Sequence, residues 1–294
     1  MKLQGIYPPI ATPFNHEGDL YKVKVIHNVQ KLNRTGLAGY CVCGSTGESV
    51  HLTADEKYTL WQWVAETAAS DRLLIAGTGV ESVRETISLT NKAAEMGYKL
   101  AMVRTPHYYK NLINNTDAQV RYFRAVADQA KLPVMIYNWP QTTGVDISVE
   151  AVARLSEHPN VIAIKESSGD PEKLKQLIAA VRPGFQVLTG SAPNLWRSLE
   201  AGAIGAVLAF ANAAPYACIT IWEAFRQREP EAAEDWQGRI TPAALLVTVK
   251  YGIPGLKYAM DLNGFYGGIP RLPLIPIGEE AKREIEAAFH EIRG

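Results

Sequence analysis

The chain is poor in the features that mark several classes of protein. It holds three cysteines in 294 residues, an odd number and too few for a disulfide framework. Cys41 and Cys43 stand two apart, the wrong spacing for a C-x-x-C redox or zinc pair, and read as buried core thiols. Neither sign of charge is in excess: thirty basic residues balance thirty acidic ones without a run of either. That argues against nucleic acid or an anionic membrane as a partner and for a small substrate. The six histidines show no H-E-x-x-H or other ligand spacing, so no metal is expected. A G-x-S-x-G elbow and a Walker loop are both missing, and Gly77-Thr78-Gly79 lacks the third glycine of a dinucleotide fingerprint. Long apolar runs are scarce too. Pro8, Pro9 and Pro13 interrupt the first residues, which do not read as a signal peptide. The uncharged stretch Ala201–Trp222 is long enough to cross a bilayer, but Gly202, Gly205, Asn212 and Pro215 break it into a buried strand and a turn. A soluble, cytoplasmic protein is expected.

What the chain does have is alternation. Eight short apolar runs recur: Gly5–Thr12, Gly39–Cys43, Leu73–Ala76, Leu100–Arg104, Pro133–Tyr137, Val161–Ile164, Phe185–Leu188 and Gly205–Ala209. Helical patterns lie between them. Thr53 with Glu56, Ser82 with Glu85 and Thr116 with Gln119 fit capping boxes, and Asp170-Pro171 fits an N-cap followed by proline. Strands buried on both faces and alternating with helices imply parallel βαβ units, and eight of them favour a (β/α)8 TIM barrel over an open doubly wound sheet. After Asn212 the alternation stops. Ala217–Arg226, Glu231–Lys250, Gly255–Leu262 and Glu279–Ile292 read as helices, so a barrel over 1–212 carries a helical extension over 213–294.

Chemistry in a barrel sits at the C-terminal strand ends. There the sequence puts Gly44-Ser45-Thr46-Gly47-Glu48, Thr105-Pro106-His107-Tyr108-Tyr109, Tyr137-Asn138, Lys165-Glu166-Ser167 and Thr189-Gly190-Ser191. Strand parity groups Ala163, Lys165 and Ser167 on one face. A desolvated Lys165 would be a neutral amine nucleophile, and a lysine salt-bridged to Glu166 or reaching solvent fits the sequence equally well. Tyr137, on the face of Met135, could shuttle a proton or merely satisfy its hydroxyl in the interior. The segment from Gly44 to Gly47 could present N–H groups and two hydroxyls to a carboxylate, or form a tight turn.

These segments, with Thr143-Gly144 and Arg271-Leu272-Pro273-Leu274, resemble the dihydrodipicolinate synthase/N-acetylneuraminate lyase family in order and spacing over nearly the whole chain. The resemblance implies that Lys165 forms an imine with pyruvate or a similar 2-oxo acid, without metal or other cofactor. It assigns proton relay to Tyr137, with Ser45 and Tyr108 completing a hydroxyl chain, the latter reaching in from a neighbouring subunit of a homotetramer. Ser45 and Thr46 would hold the keto acid carboxylate, and Gly190 and Val207 would line the pocket. The chain departs from the family where synthases that bind aspartate semialdehyde carry an arginine, for here Thr142 stands. Exchanging a guanidinium for a hydroxyl gives up a contact of about 1.5–3 kcal/mol. Sialic acid lyases use acidic residues where Ser191 and Ala192 stand here, and a hydroxyl at the position of Leu208. With the arginine-free stretch from Pro140 to Gly144, the segment from Thr105 to Tyr109 and the run from Gly252 to Lys257 followed by Phe265 to Gly268, the chain most resembles the 4-hydroxy-2-oxoglutarate aldolases. That implies cleavage to pyruvate and glyoxylate, with Ser167 a candidate for the second carboxylate. A lysine-pathway synthase with a substitute for the arginine, and a catalytically silent barrel that only binds a keto acid, are the alternatives.

Overall fold

The computed structural model describes residues 1–292, so the last two residues of the expected extension lie outside it. Eight parallel strands form one sheet: β1 (Gly5–Tyr7), β2 (Gly39–Val42), β3 (Leu73–Gly77), β4 (Leu100–Arg104), β5 (Val134–Asn138), β6 (Val161–Glu166), β7 (Gln186–Thr189) and β8 (Gly205–Val207). From β2 to β8 each strand pairs with the next in sequence, and β1 pairs with β8, so the sheet curls round on itself. Between β1 and β2 the ring closes through a bridge at Pro9 and Cys41. The expected (β/α)8 barrel is thus the fold.

Alternation along each strand sorts side chains into two cores. Every strand sends an apolar residue inward: Tyr7, Cys41, Ile75, Met102, Met135, Ala163, Leu188 and Val207 fill the ring. The outward set packs beneath the helices and merges with the C-terminal helices into a second, larger core. All three cysteines are buried and free, and burial pushes the thiols of Cys41 and Cys218 up to about 12.

The first run is shorter than its apolar pattern suggested. Pro8 and Pro9 offer no N–H to a ladder, so regular pairing stops at Tyr7. A buried asparagine takes over. Asn212 donates from Nδ2 to the carbonyls of Pro9 (2.8 Å) and Ala209 (3.0 Å), and its Oδ1 accepts from the Ala11 N–H (3.1 Å). The run from Val161 extends two residues further than expected, which puts Lys165 and Glu166 inside β6.

Helix starts follow the sequence with one correction. Thr53 and Glu56 form a full capping box, Ser82 caps the helix Val83–Glu95, and Asp170 caps Pro171–Ala180. At the helix Thr116–Ala127 the cap is Asn115, whose side chain accepts from the Ala118 N–H, while Thr116 bonds Ser148 instead. Asparagine is the stronger N-cap, because its short side chain reaches the first-turn donors.

The segment read as strand and turn is β8, a short helical turn over Ala209–Asn212 and the start of the helix Pro215–Gln227. Among the described residues no helix is long and apolar enough to cross a membrane. The long C-terminal helix is split. Pro230–Leu245 contains Pro242 and gives way to a single π turn over Leu246–Lys250, followed by Gly252–Leu262 and Glu279–Phe289.

If Asn212 closes the barrel at the prolines, Asn212→Ala strands one donor and two acceptors in the core. A loss of about 3 kcal/mol is expected in urea unfolding, and an unchanged midpoint would show that the strands close the ring unaided.

Candidate active site

Residue pairing sets three inward side chains side by side at the mouth. Arg104 on β4 is in register with Tyr137 on β5, and Tyr137 with Lys165 on β6. Both β5 and β6 are pinned from their outer faces. Asn138 donates to Asp146 and to Glu166 (both 2.9 Å), Glu166 accepts from the Ser168 N–H (2.6 Å), and Lys173 pairs with Asp146 and lies 3.7 Å from Glu166. Glu166 therefore points away from Lys165, and the salt-bridged alternative for that lysine is not what the fold adopts.

Lys165 is 5% exposed and makes no ion pair or hydrogen bond among the described residues. Its Nζ sits 4.0 Å from the centroid of the Tyr137 ring. Burial with no anion to offset it disfavours the ammonium form, and the amine is pulled down to about 8. Burial acts on Tyr137 in the opposite sense and raises the phenol well above its ordinary value. The Ser45 and Ser167 hydroxyls against that phenol pull it back only in part. The pair is thus a readily neutral amine beside a firmly protonated phenol.

The loop after β2 is held in an unusual shape. Cys43 (φ 60°) and Glu48 (φ 55°) are both left-handed without being glycine, a conformation that persists only when its surroundings enforce it. Glu48 supplies the enforcement: it is buried, its Oε1 lies 2.6 Å from Nζ of the buried Lys257, and its Oε2 accepts from the Arg271 N–H (2.8 Å). Lys257 also donates to the carbonyls of Thr12 and Ile269, while the Arg271 guanidinium clasps Glu56 and the carbonyls of His51 and Gly18. Inside the loop, the N–H groups of Gly47 and Glu48 bond back to Gly44 and Ser45. Those of Ser45 and Thr46 have no partner among the described residues, and two free donors beside two hydroxyls suit a carboxylate.

A cavity of about 530 Å³ opens over Lys165, lined by Thr46, Tyr137, Thr142, Ser167 and Gly190 from the expected set. A second, of about 270 Å³, adjoins it across Tyr137, Trp139, Thr142 and Ile253 and holds Ser45 and Arg104. Ser167 Oγ is buried without a hydrogen-bond partner of good geometry. Gly190 has to be glycine, for a Cβ there would fall 1.8 Å from Ser167 Oγ and 2.8 Å from Lys165 Cε. Two expected residues lie apart from this group. Val207 is packed in the barrel interior and lines neither cavity, and Tyr108 is 77% exposed on the rim, edge-on to Tyr109.

Sequence reasoning passed over several residues at the mouth. Arg104 shares its parity with the inward Leu100 and Met102, a signal that was available. Trp139 stacks on Tyr137 at 6.2 Å and 20°. The π turn and the helix after it bring Val247, Thr248, Ile253 and Leu256 over the cavity, and nothing local in those segments foretells it.

A parallel barrel with a desolvated lysine and a phenol at its mouth defines a class, the Schiff-base-forming lyases. Within that class, the chain belongs to the dihydrodipicolinate synthetase family, whose model matches residues 2–292. It is 34% identical over 292 residues to a 4-hydroxy-tetrahydrodipicolinate synthase of Exiguobacterium, covering 98% of this chain and 99% of that one. The same identity over 292 residues links it to a probable mitochondrial 4-hydroxy-2-oxoglutarate aldolase of Emericella nidulans, covering 98% and 94%. The fold superposes on a dihydrodipicolinate synthase from Bacillus anthracis with a TM-score of 0.93, at 30% identity over 98% of both chains. The chain is therefore an enzyme, an aldolase of this family.

With the amine at about 8, only about a tenth of Lys165 is neutral at pH 7. Borohydride trapping of pyruvate should accelerate as pH rises through about 8 and then level off, whereas an inflection near 10.5 would mean an unperturbed lysine. Gly190→Ala should lower kcat/KM on the order of 100-fold, with the melting temperature little changed, because it displaces the amine. Full activity in that variant would show that the mouth can yield.

Proposed function

We propose that this enzyme cleaves 4-hydroxy-2-oxoglutarate, or a similar short hydroxy-oxo acid, through an imine on Lys165. The neutral amine adds to the C2 ketone and water leaves, giving a protonated imine. The C4 hydroxyl then loses its proton, the C3–C4 bond breaks, and its electron pair flows to the iminium nitrogen. Glyoxylate departs and an enamine remains. Protonation at C3 and hydrolysis release pyruvate and restore the lysine. Tyr137 suits the role of relay, since a phenol hard to ionise accepts one proton as it passes another and never carries charge. Ser45 continues the chain of hydroxyls, and the exposed Tyr108 would serve a neighbouring copy in a cytoplasmic homotetramer. The carboxylate beside the reacting ketone rests on the free N–H groups of Ser45 and Thr46. In this reading the barrel, residues 1–212, carries the reacting groups and the extension from residue 213 roofs them.

The observation that carries the proposal is the buried Lys165 amine, without a counter-ion among the described residues and in ring contact with Tyr137. Thr142 stands at the cavity rim in place of the arginine of the synthases that bind aspartate semialdehyde, and that exchange supports another substrate. The equal identity to a tetrahydrodipicolinate synthase keeps condensation of pyruvate with that semialdehyde as the second reading. After borohydride reduction with pyruvate, Lys165 should carry the adduct, and its absence rejects the proposal together with Lys165. Cleavage of 4-hydroxy-2-oxoglutarate should outpace the semialdehyde condensation at least tenfold, and the reverse order would favour the second reading.

A further inference from the structure

We infer that Arg104 binds the distal carboxylate of the substrate and so makes this aldolase selective for an anionic aldehyde half. The inference rests on the aldolase reading above and deepens it. Arg104 ends β4 with the inward parity of Leu100 and Met102, and stands in register with Tyr137. It lines the smaller cavity with Ser45, Tyr137 and Thr142, on the far side of the Tyr137 wall from Lys165. Two strand steps separate Arg104 from Lys165, roughly 10 Å between their backbones. Two long side chains and a five-carbon diacid attached at its C2 carbon can bridge that gap.

The guanidinium is only partly committed. Nη1 donates to Glu81 (3.0 Å) and to the carbonyl of Thr105 (3.4 Å) and lies 2.6 Å from His107 Nδ1. Nε is buried with no partner, and Nη2 makes no hydrogen bond among the described residues. Glu81 does not absorb the whole charge, because its other oxygen is taken by the N–H groups of His107 (2.8 Å) and Tyr108 (3.0 Å). Glu81 and His107 hold one edge of the fork while the edge carrying Nε and Nη2 keeps two donors, the geometry that receives a carboxylate side-on. An orphaned buried donor is costly unless a ligand satisfies it. Thr142, at the rim of the same cavity, offers no competing cation.

The test compares 4-hydroxy-2-oxoglutarate with 4-hydroxy-2-oxopentanoate, in which a methyl group replaces the distal carboxylate. The ratio of their kcat/KM values should be at least tenfold in favour of the diacid in the wild-type enzyme. It should fall about 10- to 100-fold in Arg104→Met. If that variant does not fold, Arg104→Gln, which keeps a donor for Glu81, carries the same expectation. A wild-type ratio near one, or a ratio unchanged in a folded variant, overturns the inference. A wild-type protein that gives no pyruvate adduct on Lys165 fails the aldolase reading itself. An adduct together with an unchanged ratio fails only the role of Arg104.

Discussion

A cationic side chain removed from water must find an anion or give up its charge, and Lys257 and Lys165 stand for the two outcomes. Lys257 is fully buried and keeps its counter-ion: Glu48 lies 2.6 Å away and two backbone carbonyls accept its remaining protons. Breaking such a pair leaves an uncompensated charge, which makes it a rigid joint. Lys165 is buried almost as deeply and has no ion pair or hydrogen bond among the described residues. The fold spends stability to keep an amine desolvated, and the return is a nucleophile near neutral pH. The chemistry proposed for the mouth depends on that denied counter-ion.

Keeping an anion away from Lys165 is the task of its surroundings. Glu166 is the nearest carboxylate in sequence, and it is turned outward into bonds with Asn138 and the Ser168 N–H. Strand alternation starts this separation and the outer network secures it. Below the lysine, Ala163 leaves room for a long side chain, and beside it Gly190 allows an approach that any side chain would block. The same joint that buries Lys257 fixes the Ser45–Thr46 loop, because Glu48 at its end can stay left-handed only while held by Lys257 and Arg271. Stability in the C-terminal helices and geometry in the binding loop are therefore coupled through one ion pair.

Arg271 illustrates how a motif can mislead about role. Its segment belongs to the family pattern, yet its guanidinium touches Glu56, His51 and Gly18 and lines neither cavity. Arg104 belongs to no motif and is marked in sequence only by its strand parity, yet it stands in the mouth. The difference is reach: a residue's effect on a reaction is set by which cavity its atoms line, and sequence spacing reports that only for residues on the same strand.

Local patterns made much of this protein legible. Alternation of apolar runs with capped helices led to eight strands and a closed parallel barrel, since strands buried on both faces have few other solutions. Parity placed Lys165 with Ala163 and Tyr137 with Met135 correctly, because the two-residue period is a property of the strand itself. Other features depended on partners far along the chain. Whether Lys165 would be charged was undecidable until the outward turn of Glu166 was known. Where the prolines stop the first strand, Asn212, some two hundred residues away, takes over its bonds. The π turn over the cavity, the joint from Glu48 to Lys257 and the shared mouth of Arg104 and Tyr137 all join segments distant in sequence. The sequence by itself determined which faces would be buried and which residue types would meet at the strand ends. Only the tertiary structure decided which charges were paired, because desolvation and Coulomb energy depend on distances that the chain acquires on folding.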